Sequence, residues 1–525
     1  MKYYFIAESL KSCGNQIVKR AGLLVLPVLL LLGVFSVQAQ YFNLRIDFMG
    51  YNQPENGFAI EQMNDGNYLV FLGGYSEIGD KIIMGRVVIN IDGEVLNNHI
   101  TLNEVSHLFT GYSNTSFKLV DGGFVSSGSR SWFSGIESLA SLCKYDANGE
   151  LDWIKFYGDS VNQTVGRAAA QHSNFNLASV GWKHVDGPNL TMGFLLVTDS
   201  LGELITLNEY GGSQVDHLFS LYPTNDGGYI LGGYTKSYGT VGKWDHYIVK
   251  TDSMGNQQWM RVIGSNLDDC PAKVIQTADG NYVFCGCWTH FTQGTGVNFS
   301  KLYMAKLDQA GELIWEKEYL DEPYHIANLR KVVELPNGDL LAAGLREGPV
   351  FGDFDGLLLR TDAEGNEKWL RSLKHPSITG TGFQFAYDII VDTEGWFVGT
   401  GWMFNPPNDT PPGQDLWVFR TDSMGCLVPG CHIIDNVEVH EEEVLVSMFP
   451  NPVQDLLSVH LKSGPMPRGA ELELFDMHGR RHSTTAVNPG ATTYILQLGH
   501  LPAGMYVLRC VTGGEVVWSG KVVKQ

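Results

Sequence analysis

Basic residues are scarce in this chain: 36 Lys and Arg stand against 57 Asp and Glu among 525 residues, a formal charge of −21 at pH 7. The deficit is steeper in the middle. Residues 1–39 carry a net +3 and residues 447–525 a net +2, which leaves −26 for 40–446. So acidic a body argues against a nucleic-acid partner, because neutralising phosphates takes a basic surface. The acidity serves solubility. Catalytic signatures are missing as well. The sequence has no His-Glu-x-x-His, no glycine-rich phosphate loop, no Gly-x-Ser-x-Gly elbow and no complete calcium loop. Asp353-Phe354-Asp355-Gly356 is a fragment of a calcium loop without the remaining ligands, and reads as a hairpin turn. No catalytic residue, metal ligand or cofactor is therefore expected.

Cysteine is sparse, with eight residues. Cys13 lies in the leader described next, and the seven that remain are an odd number. Cys426 and Cys431, separated by Leu-Val-Pro-Gly, are expected to close a small disulfide loop in an oxidising compartment. Cys285 and Cys287 flank Gly286 in a strand-like run and are expected as small buried hydrophobes sharing one face.

At the N-terminus, Lys11, Lys19 and Arg20 precede the 17-residue apolar run Ala21–Val37, and Val37-Gln38-Ala39 resembles a cleavage site. This is the pattern of an export signal at 1–39, with a mature chain from Gln40. A spanning helix needs about 20 apolar residues, so no transmembrane anchor is expected in the mature chain.

Glycine, by contrast, is plentiful at 61 residues, and aromatics reach 11%. Many glycines serve one repeated turn. Asn90, Asp146, Asp199, Asp252, Asp308, Asp362 and Asp422 each have glycine three positions on, at intervals of 56, 53, 53, 56, 54 and 60 residues. The Asp or Asn side chain accepts a backbone hydrogen bond, and the glycine takes the left-handed conformation that ends the turn. Runs such as HYIVKT before it alternate as half-buried strands do. Trp153, Trp259, Trp315 and Trp369 each fall seven residues after the turn begins, a register suited to packing between units. A second turn, Asp-Gly at Asp65, Asp121, Asp226 and Asp279, signals a hairpin earlier in each unit.

About four strands in about 55 residues is the signature of a β-propeller blade. The ends complement one another. Residues 41–49 look like the last strand of a unit, and the seventh unit stops where CLVPGC replaces that strand. The expectation is an all-β, seven-bladed β-propeller over 40–432, closed by pairing 41–49 with 415–421. An acidic linker at 433–445 then leads to a small β-sandwich at 446–525.

The tail carries Phe449-Pro450-Asn451-Pro452, Phe475-Asp476 with Gly479, then Leu501-Pro502-Ala503-Gly504-Met505-Tyr506, and a closing Gly520-Lys521-Val522-Val523. These motifs, in order and at the C-terminus, resemble the type A C-terminal sorting domain of the type IX secretion system. The resemblance covers 446–525 and implies a Bacteroidetes source and an outer-membrane translocon as partner. It also implies passage through the periplasm to the cell surface or the medium. Pro450, Asn451, Pro452, Gly479, Gly504, Tyr506 and Lys521 are the sorting-motif positions it marks.

For a ligand, the loops between the second and third strands of each unit vary most. They carry Trp132, Phe133, Tyr238, Trp244, Phe291 and Phe404, with Asp245, Asp353 and Asp355 nearby. In a propeller such loops gather on one face, and aromatics beside polar groups suit sugar stacking or a protein partner. The expected function is a secreted or surface binding module for glycan or protein. A secreted glycoside hydrolase or lyase, or an adhesion component, is the alternative, and convergent carboxylates at the channel mouth would favour the enzyme.

Overall fold

The computed structural model describes residues 41–524 apart from 48–54, 77–80, 102–105, 112–114, 133–137, 160–161, 186–189, 292–297, 321–325, 349, 351, 379–380, 405–413, 428–430, 432–445, 462–470, 477–480, 487–492 and 513–514. The expected export signal and linker lie outside the described residues. Among those described, the regular elements are strands. No described helix is long and apolar enough to cross a membrane.

The fourth unit is the pattern for the rest. Asp216–Pro223, Tyr229–Thr235, Asp245–Thr251 and Gln257–Ile263 pair antiparallel in chain order. Its first turn needs Gly227 at φ +91°. Its second is tied by Asp252, whose carboxylate accepts the amides of Met254 and Asn256, both at 2.9 Å. The same bond to the residue two positions on recurs at Asn90, Asp146, Asp199, Asp308, Asp362 and Asp422. Among the described residues, seven groups of strands in this order follow one another. In the second, the first strand is split into Ser106–Thr110 and Ser116–Lys118, both pairing with Phe124–Trp132. The seventh has three strands of its own, Phe383–Val391, Phe397–Phe404 and Asp415–Thr421. Phe42–Ile46 pairs antiparallel with Asp415–Thr421, with Phe42 opposite Arg420.

Neighbouring units hold one another through buried side chains. Val180, Leu195 and Val197 of the third unit meet Leu218, Leu231 and Val249 of the fourth, each burial contributing about 1.5–3 kcal/mol. The repeated tryptophans lie on the next unit's turn. A Cβ on Gly202, Gly311, Gly365 or Gly425 would meet the ring of Trp153, Trp259, Trp315 or Trp369 at 2.7–3.0 Å. Within units, a cation in the third strand clasps the first turn: Lys144–Asp121, Lys250–Asp226, Lys306–Asp279, Arg360–Asp339 and Arg420–Asp392.

The cysteines need one correction. Cys287 is bonded to Cys270, while Cys285 is free and buried. Pairing Lys273 with Cys285 carries the connector bearing Cys270 alongside Cys287, a neighbour that strand alternation alone does not reveal. Cys426 and Cys431 are bonded to each other.

Two sheets form the tail. Val446–Phe449, Leu456–Leu461 and Thr493–Gln497 make one, and Arg481–Ala486, Glu471–Asp476, Gly504–Thr512 and Glu515–Lys524 the other. Their shared core includes Val459, Leu474, Leu496 and Leu508.

Candidate functional site

The first strands of the seven units touch in sequence, and Phe383–Val391 of the seventh touches Glu55–Gln62 of the first. In five of them the ladder slips by one residue, at Phe58, Arg167, Phe219, Arg330 and Tyr387. A bulge re-aims a side chain, and these five form a trio around Tyr387 and a pair at Phe219. Phe58 lies parallel to Tyr387 at 5.8 Å, and Arg330 sits over Tyr387 at 5.6 Å. Arg167 covers Phe219 at 5.5 Å, with the Lys273 ammonium 5.3 Å from the same ring. Cations at such range gain about 0.5–2 kcal/mol from an aromatic face.

These strands line a cavity of about 370 Å³, to which all seven units contribute. Its polar lining includes Glu61, Ser116, Lys118, Lys273, Lys331 and Glu334. Ser116 Oγ donates to Glu61 at 3.0 Å. Burial, then the neighbouring Asp388, pushes the Glu61 carboxyl up to about 7 against the pull of Lys331 and Lys118. Asp388 accepts the Ile60 amide at 3.0 Å and pairs with Lys331 at 3.2 Å. Lys273, 2% exposed, donates to the Phe219 carbonyl at 3.2 Å. Burial, with Arg330 and Arg167 close by, holds its ammonium well below the usual lysine range.

From Phe219 an aromatic run leads outward to the variable loop of the fourth unit. Phe219 meets Tyr234 at 5.1 Å, and Tyr234 meets Trp244 at 4.0 Å. The Lys236 ammonium lies 4.0 Å from the Trp244 ring centre. His217, stacked on Trp182 at 4.9 Å, bonds Tyr234 and Thr191, each at 2.9 Å. Burial, helped by Arg167, lowers its pKa to about 3, so its ring is neutral.

The loop aromatics singled out from the sequence divide. Trp244 is half-buried at the outer end of this run. Phe291 is 56% exposed and lines an open cleft of about 400 Å³ with Trp288, His290 and Ser265. Tyr238 instead ties the loop down, its hydroxyl donating to the Gly211 carbonyl at 2.7 Å. Phe404 stacks on Phe383 at 6.0 Å. Trp132 ends a strand, Phe124–Trp132, and Phe133 lies outside the described residues. The nearby carboxylates are already engaged within the protein. Asp245 accepts the Thr240 amide at 2.5 Å, while Asp353 and Asp355 face Lys374 at 2.9 and 3.6 Å. Among the described residues, no group of three or more His, Cys, Asp or Glu is placed to hold a metal ion.

No motif in the sequence marks the cavity charges. Six residues before each hairpin anchor stand Ala59, Thr115, Ala168, Ser220, Lys273, Lys331 and Asp388. A charge at a position that is otherwise small and buried was the available signal.

In the tail, Asn451 staples the Pro450–Pro452 motif to the last strand. Its amide donates to the Lys521 carbonyl at 2.7 Å, and its oxygen accepts the Val523 amide at 2.8 Å. Buried Tyr506 donates to the Pro502 carbonyl at 2.9 Å, and Gly504 opens the strand that carries it. Gly479 lies outside the described residues.

Residues 447–525 match the family of the secretion system C-terminal sorting domain. No curated protein matches the chain. Among solved structures, PorZ of Porphyromonas gingivalis, a surface component of the type IX secretion system, is similar at 11% identity. It covers 89% of this chain and 81% of its own, with a TM-score of 0.29. The β-propeller domain of the Trilobed protease from Pyrococcus furiosus is similar at 12% identity, covering 68% and 92%, with a TM-score of 0.37. An α-L-arabinanase of Penicillium chrysogenum, complexed with arabinobiose, is similar at 11% identity, covering 73% and 98%, with a TM-score of 0.38. None of the three carries residues or activity over to this chain.

Proposed function

We propose that this chain, whose residues 447–525 form a secretion sorting domain, is delivered by the type IX machinery of a Bacteroidetes bacterium to act outside the cell as a glycan-binding module. Its body is a seven-bladed β-propeller closed by Phe42–Ile46. Pairing of that strand with Asp415–Thr421 supports the closure, as does the contact of the seventh unit's first strand with the first unit's. The tail is the translocon's handle. The observation that carries the binding role is the cavity common to all seven units, whose Lys273 lies 5.3 Å from Phe219, the first ring of the Phe219–Tyr234–Trp244 run. Aromatic faces beside cations and hydrogen-bonding groups suit sugar rings.

A second reading has one observation in its favour. Glu61, pushed up to about 7, stands near Asp388 in the same cavity, and two carboxylates in unlike environments can divide acid and base roles. That would make the chain a glycoside hydrolase.

A glycan and polysaccharide array on the full chain, with turnover scored beside binding, separates the two. Binding without turnover, lost in a folded Trp244→Ala variant, is the expected result. Turnover abolished by Glu61→Gln would replace the binding role with the enzymatic one, and no bound glycan at all would sink both.

A further inference from the structure

Phe291 ends the second strand of the fifth unit, Tyr282–Phe291, and the fold leaves it 56% exposed. A single apolar side chain in water is ordinary on a protein surface. This one stands in a cleft. Residues 264–267 of the connector before the fifth unit and residues 288–291 of the strand line about 400 Å³ of open space, within the range of about 300–1,000 Å³ that small ligands fill. One buried carboxylate ties the two segments together. Asp269, 5% exposed, accepts the Ser265 amide at 2.6 Å and the Ser265 hydroxyl at 3.0 Å from the connector, and the Thr289 amide at 2.8 Å from the strand. The Thr289 hydroxyl donates to the Asp268 carbonyl at 2.7 Å. Beside these bonds, the Cys270–Cys287 disulfide joins the same connector and strand covalently. A cleft cross-linked in this way is formed before a ligand arrives, which spares binding much of its ordering cost.

The lining says what charge the ligand has. Among its described residues none is Lys or Arg, and the one ionisable side chain, His290, is engaged with Glu318 at 2.7 Å and stacked on Phe299 at 5.2 Å. An anion would therefore find no counter-charge in the lining, and the Glu318 carboxylate beside His290 would repel it. Asn266 is exposed and lines the same cleft, and its amide both donates and accepts. An exposed ring with an uncharged amide suits a neutral sugar, whose C–H face lies on the ring while its hydroxyls bond the amide. The connector also reaches the loop that carries Trp244. The Asp269 amide donates to the Trp244 carbonyl at 2.7 Å, and the Trp244 amide to the Asp268 carboxylate at 3.1 Å.

We propose that this cleft is a second glycan subsite, in which Phe291 stacks on one residue of a neutral oligosaccharide and Asn266 bonds its hydroxyls. The proposal rests on the glycan-binding reading above and adds to it a place and a charge class.

Calorimetry on the full chain tests it, with xylohexaose, cellohexaose, mannohexaose and an oligogalacturonate of equal length at matched ionic strength. At least one neutral chain should bind, and more tightly than the oligogalacturonate. Phe291→Ala should weaken that neutral chain by about tenfold, the scale of one lost ring contact, with the unfolding temperature unchanged. Phe291→Trp, which keeps a ring, should keep the affinity. Asn266→Ala should weaken the same chain by about threefold, the scale of one hydrogen bond, and makes the comparison if Phe291→Ala does not fold. Neutral-chain affinity unchanged in both alanine variants overturns the cleft; if Trp244→Ala still abolishes that binding, the glycan reading stands without it. Loss in Phe291→Ala with Trp244→Ala silent upholds the cleft and sinks the binding role of the channel. Tighter binding of the oligogalacturonate overturns the neutral assignment. Binding of none of the four chains overturns the cleft, and an empty glycan array beside it sinks the glycan reading as well.

Discussion

Phe42 lies against Gly93, the turn glycine of the first unit, where a Cβ would meet the Phe42 Cβ and Cγ at 3.1 Å. It stands opposite Arg420, two residues before Asp422. Trp259 stands opposite Lys250, two residues before Asp252, and covers Gly311 of the next unit. Phe42 therefore lies on the first unit's turn glycine as the four repeated tryptophans lie on the turn glycine of the unit that follows each.

This relationship has a measurable cost. Phe42 is 6% exposed, and Phe42→Ala should destabilise the chain by about 3–5 kcal/mol in chemical denaturation. An effect below about 1 kcal/mol would mean that the strand is not part of the folded body.

Arg420 and Asp392 make a second test of the same junction. Their ion pair at 2.8 Å is fully buried, and the Tyr68 hydroxyl of the first unit donates to Asp392 at 2.8 Å. Asp392→Asn leaves the buried Arg420 with the more exposed Glu394 at 2.7 Å in place of its fully buried partner, at a cost of about 3–5 kcal/mol. The exposed pair Lys155–Glu203 should cost less than about 1 kcal/mol when broken.

Glu61 predicts a change of stability with alkali. Its carboxyl is raised to about 7, so the folded state favours the proton. The contribution is complete below the ordinary value near 4.5 and is lost as pH rises through about 7. Glu61→Gln should therefore stabilise the chain at pH 8 by about 1–3 kcal/mol and change little at pH 4.5. A pH-independent effect would place Glu61 outside the channel interior.

His246 predicts the opposite limb. It is buried beside Tyr303 and Phe284, each at 5.4 Å, and burial lowers its pKa to about 4. Stability is complete above the ordinary value near 6.5 and falls as pH drops toward about 4. His217 adds to the same trend. His246→Gln, whatever it costs in packing, should flatten the unfolding midpoint between pH 6.5 and 4; an unchanged slope would contradict the assignment.

The repeat was legible because its turns depend on residue identity. Only Asp or Asn followed by glycine closes the turn at Asp252, so spacing could be counted without a structure. The tail was legible through its motif residues, of which Asn451 is a structural staple. The binding surface was harder to read. Tyr238 and Phe404 satisfy every compositional criterion for a ligand contact, yet pack their loops down. The channel chemistry stayed hidden for a different reason. Lys331 and Asp388 follow the bulges at Arg330 and Tyr387, where a one-residue slip changes which face the next residues present, and alternation read along the sequence does not reveal a slip.

Hydrogen exchange of the full chain, followed residue by residue, tests the ring most directly. The ladder amides of Phe42–Ile46 should be as protected as those of Asp415–Thr421 and open together with them. Exchange of the first strand at unprotected rates, with Asp415–Thr421 still protected, would contradict the closed ring and the channel within it.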